Sequence, residues 1–204
     1  MAGGNIIGQL CGRWDRVRHR RRFLNSVEVL RDADGPADGV TVVALVRDGM
    51  FHLDAFLAHY RALGAARFVF CDNGSTDGTL ERVLIEPDTV VLRSTLPWGE
   101  VENDFRRHAA ERYCMGGWCL YADMDEIFEA GADLPTLTGY LEAQGHNALV
   151  AQMLEMFPDT PLRAAAGLSY AQALEAFAWY DLRDVDRRAY HDPDIGFVWF
   201  LQGN

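Results

Sequence analysis

Val40-Thr-Val-Val-Ala-Leu-Val46-Arg47-Asp48-Gly49 is an apolar run that stops abruptly at a polar, glycine-closed end. A strand with one wet face would alternate apolar and polar residues; a continuous run suits a strand covered on both faces. Downstream, Leu53, Phe56, Leu57, Tyr60 and Leu63 recur at helical spacing, and Gly64 closes that helix. Arg67-Phe-Val-Phe-Cys71 reads as a second strand, followed by a loop from Asp72 to Gly78 and a short helix over Thr79–Leu84. Thr89-Val-Val-Leu92 is a third strand, residues 102–113 a helix, and Trp118-Cys-Leu-Tyr-Ala122 a fourth strand. Beyond it the pattern predicts a helix over Leu134–Ala143, an extended segment over 148–156, and a helix capped by Ser169 running through residue 177. Strands alternating with helices predict an α/β domain, Rossmann-like, with a mostly parallel central sheet flanked by helices.

Composition narrows the function classes. The 204 residues are 49% hydrophobic and 24% charged, a globular balance. A net charge of −11 argues against a nucleic-acid binder, whose phosphate partner demands a basic face. Cys11, Cys71, Cys114 and Cys119 show neither paired nor finger spacing, and the reading is reduced thiols in a cytoplasmic chain. No apolar run reaches the roughly 20 residues of a transmembrane helix.

Charge is distributed unevenly. Residues 1–39 hold 7 arginines and 5 acids, while 40–204 hold 12 arginines and 25 acids. Residues 1–39 therefore read as an Arg-rich appendage ending in a loop or linker, and 40–204 as the folded domain. The stretch from Arg13 to Arg22 is a solvated helix with two faces, a contact for an acidic partner, or a peripheral contact with the anionic inner face of a membrane.

In a parallel sheet, ligands bind outside the carboxyl ends of the strands. Arg47-Asp48, the loop Asp72-Asn-Gly-Ser-Thr-Asp77-Gly78-Thr79 and Asp123-Met-Asp125-Glu126 each follow an apolar strand, so all three should meet on one rim. Asp123 and Asp125 are hard oxygen donors suited to Mn²⁺ or Mg²⁺. On a continuing strand they would stand roughly 6.6 Å apart, so joint coordination needs a turn just after Ala122. The competing reading is a pair of acids complementing a helix N-terminus. In the second loop Asp72 can accept from a base or ribose and Ser75 offers a hydroxyl, whereas a plain turn with Asp77 as a helix cap explains the same residues.

This order of motifs resembles family 2-type glycosyltransferases, most closely the group 4 branch that is itself similar to family 92. The likeness rests on Arg47-Asp48, a helix with His59 and Gly64, the Asp72–Thr79 loop, Trp118 and Asp123-Met-Asp-Glu126, over roughly residues 40–130. The resemblance implies a GT-A fold binding a nucleoside-diphosphate sugar with Mn²⁺ or Mg²⁺, and transfer of the sugar to a glycan or lipid-linked acceptor. It implies nucleobase or ribose contacts for Asp72 and Asp77, diphosphate and metal roles for Asp123 and Asp125, and a diphosphate-side role for Arg106. Arg47-Asp48-Gly49 departs from the Lys-Asn-Glu or Arg-Asn-Glu run of such proteins, which puts the Asn and Glu contacts in doubt. His59 reads as a core or helix-capping histidine.

Two rival readings remain. A haloacid-dehalogenase-type phosphohydrolase wants its DxD after the first strand, and a nucleotidyltransferase wants a basic glycine-rich loop; neither occurs. A transferase domain that binds nucleotide or glycan without turnover is compatible with the departure at Arg47-Asp48-Gly49. No catalytic base is assigned; Asp184, Asp186, Asp192 and Asp194 form the acidic cluster nearest the expected place. Gly196-Phe-Val-Trp-Phe-Leu201 reads as a strand with nothing after it to cover it, as in a truncated chain.

Overall fold

The computed structural model describes residues 6–181, 185–192 and 196–203, with side chains at Trp14 and from Val17 to Asp181. The described residues divide between Thr138 and Gly139 into two compact units.

The first unit opens with helix α1 (Ile6–Ser26) and strand β1 (Glu28–Arg31). It continues through β2 (Thr41–Val46), α2 (Met50–Ala62), β3 (Arg67–Asp72), α3 (Thr79–Leu84) and β4 (Thr89–Arg93). Helix α4 (Trp98–Ala109) runs into a π-turn (Ala110–Cys114), and β5 (Cys119–Tyr121) completes the sheet. The strand order is β1-β4-β3-β2-β5; β2 to β5 are parallel, and β1 lies antiparallel on the β4 edge.

Period-two alternation sorts the apolar runs onto two faces. Val42, Ala44 and Val46 of β2, with Phe68 and Phe70 of β3, pack under Leu53, Phe56, Leu57 and Tyr60 of α2 and Leu80 and Val83 of α3. Val43, Leu45, Val69 and Cys71 face the other way, against Phe23 of α1 and Val101, Phe105, Ala109 and Tyr113. This is why the runs carry no polar register: neither face of the central strands meets water. Right-handed crossovers put α2 and α3 on one face while the chain moves from β2 toward β4, and put α4 on the other when it returns to β5. The α/β class and the mostly parallel sheet flanked by helices are as the sequence indicated.

The amino-terminal segment corrects the expectation of an appendage over residues 1–39. Phe23 is fully buried, edge-on to Phe105 with ring centroids 5.3 Å apart. Glu28 and Val29 pair with Arg93 and Leu92. Ser26 Oγ lies 2.8 Å from Ser94 Oγ. Arginine density hid one phenylalanine and one short strand, which are enough to close the sheet edge.

The second unit is less regular. Helix α5 (Leu134–Ala143) spans the division, and α6 (Tyr170–Ala176) begins at Ser169, whose side chain accepts from Gln172 N in a capping box. Strands β6 (Val185–Asp192) and β7 (Gly196–Gly203) form an antiparallel hairpin. Residues 148–156 form no strand; the only pairing nearby is an isolated bridge between Phe157 and Trp179. An apolar segment needs a partner edge to become a strand, and none lies alongside it among the described residues. The single domain expected over 40–204 is thus two units. Asp184 and Asp194 lie outside the described residues, as do the side chains of Asp186 and Asp192.

Phe23→Ala is expected to cost about 3–5 kcal/mol, the range for removing a buried aromatic ring. Denaturant unfolding would show it, and an unchanged midpoint would restore the appendage reading. His108, on α4 beside Phe23, is held below its ordinary pKa of 6.5 by burial and by Arg20 and Arg112, with Glu111 opposing. The unfolded chain therefore takes up this proton at a higher pH than the folded one. The contribution of His108 is complete above pH 6.5 and is lost as pH falls through its lower folded value. His108→Asn should flatten the decline in stability on acidification; an identical pH slope in the variant would contradict this.

Candidate functional site

The chain leaves β2 at Val46, turns to make β3 on one side, and returns to make β5 on the other. Between β2 and β5 the connections diverge to opposite faces, which opens a crevice at the carboxyl edge. A cleft of about 290 Å³ lies there, lined by residues 45–49 from the end of β2, by Asp123, Met124 and Asp125, and by His52 and Trp98.

The β5 end turns at once. Glu126 N donates to Asp123 O at 3.0 Å, and Glu126 Oε2 accepts from Asp123 N at 2.8 Å. The turn that joint coordination requires is therefore present. Met124 is buried in the core and anchors it, while Asp125 is exposed at the cleft. Arg106 Nη2 donates to Asp123 at 3.2 Å, and Arg106 Nη1 to Glu102 at 2.5 Å. Two residues singled out separately in the sequence thus form one charge-assisted pair. Among the described residues no group of three or more His, Cys, Asp or Glu side chains is placed to hold a metal ion.

The β2 end is braced from below by the loop after β3. Asp48 takes the left-handed conformation, φ 54°, the one non-glycine residue with positive φ among those described. Short Asx side chains tolerate that conformation by bonding locally. Asp48 Oδ1 accepts from Thr76 N at 2.7 Å, and Asp48 N donates to Ser75 Oγ at 2.9 Å. Gly49 N donates to Thr79 Oγ1 at 2.8 Å, and Met50 N to Asp77 Oδ2 at 3.0 Å. The first amides of α2 are satisfied by the next loop rather than by their own N-cap. A Cβ at Gly49 would lie 2.7 Å from Val46 Cγ2, so this position carries no side chain toward the cleft.

Asp72, Ser75 and Asp77 all take part in this brace or in the loop that carries it. Asp72 is 0% exposed; its carboxylate accepts from Gly74 N at 2.9 Å and Ser75 N at 3.1 Å, with Arg93 Nε 3.6 Å away. Asp77 accepts from Met50 N, Thr79 N and Thr79 Oγ1. Burial works against its charge, but these hydrogen bonds outweigh it and hold the carboxyl below the usual carboxylate range. None of the three lines the cleft. They share the carboxyl edge with Asp123, yet β2 stands between, two strand spacings or roughly 9–10 Å across. Asn73 completes the brace, donating to Ser94 O and Leu96 O.

Arg47, Asp123 and Asp125 do converge on the cleft, and Arg47 has no hydrogen bond or ion pair among the described residues. Trp98 and His52 escaped the sequence reading. Trp98 opens α4 after Pro97 and is 37% exposed in the cleft wall; a Pro-Trp pair in the loop after the third predicted strand was the available signal. His52 lies one turn into α2, where burial lowers its pKa and Asp125 opposes the shift. His59 is structural, its Nε2 3.0 Å from Phe128 O. Cys71, Cys114 and Cys119 are free thiols, and no described helix is long and apolar enough to cross a membrane.

Fold and cleft together define an α/β protein with a mostly parallel five-stranded sheet, compatible with a Rossmann-like fold, and a charged crevice at the switch point of that sheet. No protein-family model, curated protein or solved structure matches the chain.

Asp72→Ala would leave two amides without their acceptor, at about 1–3 kcal/mol each, and is expected to destabilise the chain by roughly 2–6 kcal/mol. Asp72→Asn retains one oxygen and should cost less. Urea unfolding measures both; an Asp72→Ala variant as stable as the parent would mark Asp72 as a ligand contact instead of a brace.

Proposed function

We propose that this chain carries the donor-binding part of a family 2-type glycosyltransferase with a GT-A fold. It takes a nucleoside-diphosphate sugar, a UDP-sugar first, and passes the sugar to a glycan or lipid-linked acceptor. The observation that carries this reading is the meeting of Asp123-Met-Asp125 and Arg47 on one cleft at the sheet's switch point. Both halves of that arrangement suit a diphosphate: carboxylates that can hold a cation, and a guanidinium that can donate to phosphate oxygens.

The donor set fits Mn²⁺ or Mg²⁺. Such ions are commonly held by one or two carboxylates, with waters and substrate phosphates completing the shell. A site made of Asp125 and Asp123 therefore needs no third protein ligand. When bound, the cation neutralises charge developing on the departing diphosphate. The chain's own residues do the rest. Arg47 offers planar, two-pronged donation to phosphate oxygens. Arg106 holds Asp123 in place, and the turn fixed by Glu126 aims the pair at the cleft. Trp98 presents an aromatic face on which a base or sugar ring can stack. Asp72, Ser75 and Asp77 act as positioning residues that fix the Arg47-Asp48-Gly49 turn.

The alternative of a domain that binds nucleotide without turnover is favoured by one observation: Gly49 leaves no side chain where similar proteins carry a glutamate. Sugar release from UDP-sugars by the purified chain separates the two.

Calorimetric titration with UDP, with and without Mn²⁺, tests the reading. The parent should bind UDP only weakly without Mn²⁺ and well with it. Asp125→Asn and Asp123→Asn should remove the Mn²⁺-dependent part while the circular dichroism spectrum stays unchanged. Arg47→Ala should weaken binding tenfold or more, from the ~1.5–3 kcal/mol of hydrogen bonds to charged groups. Full Mn²⁺-dependent binding in both aspartate variants, or none in the parent, would defeat the proposal.

A further inference from the structure

We propose that the outward face of α1 docks onto an anionic lipid surface. The structure sorts the arginines of this helix into two sets that the sequence leaves mixed. Facing inward, Arg20 pairs with Asp104 and Glu111, His19 with Asp104, and Arg22 reaches Glu100, all on α4 or the π-turn after it. These groups fasten the helix to the protein around buried Phe23.

Trp14, Val17, Arg18, Arg21 and Leu24 recur at offsets of three, four, seven and ten residues, which places them on one helical face, opposite Phe23. All five are exposed, with Trp14 at 66%, Val17 at 54% and Leu24 at 44%. Arg18 and Arg21 have no hydrogen bond or ion pair among the described residues. The face runs about 15 Å from Trp14 to Leu24 at the helical rise of ~1.5 Å per residue.

Charge and apolarity both point to lipid. Residues 13–22 contain six arginines and one acid in a chain of net charge −11. Arg20 and Arg22 are offset by the acids of α4 and the π-turn; because salt screens charges beyond roughly 10 Å, an approaching surface meets Arg18 and Arg21 before the more distant acids. An acidic polymer would call for arginines alone. Here tryptophan, valine and leucine interleave with them, as in helices that lie in the headgroup plane. There the apolar side chains enter the acyl boundary while the guanidinium groups reach headgroup phosphates. This inference does not rest on the transferase reading: lipid docking and UDP binding are read by separate measurements.

The test is flotation of the full chain with phosphatidylcholine vesicles, with and without phosphatidylserine, at low and high salt. The parent is expected to float with the phosphatidylserine vesicles at low salt, and to be released by high salt. Arg18→Gln combined with Arg21→Gln should lower partitioning about 25-fold, roughly fivefold per arginine near an anionic surface. Trp14→Ala should lower it by a smaller factor and leave the salt response in place. Arg163→Gln, in the second unit, should behave as the parent, with circular dichroism confirming that each variant folds. Equal binding to phosphatidylcholine alone would overturn the proposal, as would undiminished binding by the double arginine variant. Retention on heparin without vesicle binding would overturn it too, assigning the face to an acidic polymer.

Discussion

Parallel pairing of β2 with β3 along one edge and with β5 along the other is the constraint on which the rest of the structure depends. A strand paired on both sides and covered on both faces has no wet surface, so its residues must all be apolar until it ends. When it ends, the backbone enters water at one defined place. The change in winding direction at β2 leaves the rim between β2 and β5 without a crossing connection, and the cleft forms there. The fold makes the site before any particular side chain is chosen.

The site has two layers with different physical tasks. Arg47, Asp123, Asp125 and Trp98 line the cleft, with Asp123 paired to Arg106. Beside them, Ser75, Thr79 and Asp77 satisfy backbone amides of a turn that includes a left-handed aspartate, and Asp72 holds the loop that carries Ser75. Such a turn holds its shape only when its neighbours over-determine it. Residue type alone does not distinguish the two sets; the backbone amides from which Ser75, Asp77 and Thr79 accept do.

The amino-terminal segment shows a similar division within a single helix. One side is fastened to α4 by ion pairs around a buried phenylalanine, and the other presents Arg18 and Arg21, without an ion pair among the described residues, between apolar side chains. Isolated surface ion pairs contribute little to stability. The anchoring therefore rests on Phe23 and on the pairing of β1 with β4, while the charges set the helix's orientation about its axis.

Periodicity by itself determined the α/β class, the four parallel strands, the short helix after the Asp72 loop and the Ser169-capped helix, because burial on both faces and capping are local requirements written in consecutive residues. Strand ends followed by polar residues likewise announced Arg47, Asp123 and Asp125. Only the tertiary structure decided that Glu28–Arg31 joins the sheet, that residues 148–156 form no strand, and that Asp72 is fully buried. Each of these depends on which distant backbone edge or ring lies alongside. A segment with one buried ring looks polar in sequence, and an apolar run becomes a strand only when a partner edge is within hydrogen-bonding reach.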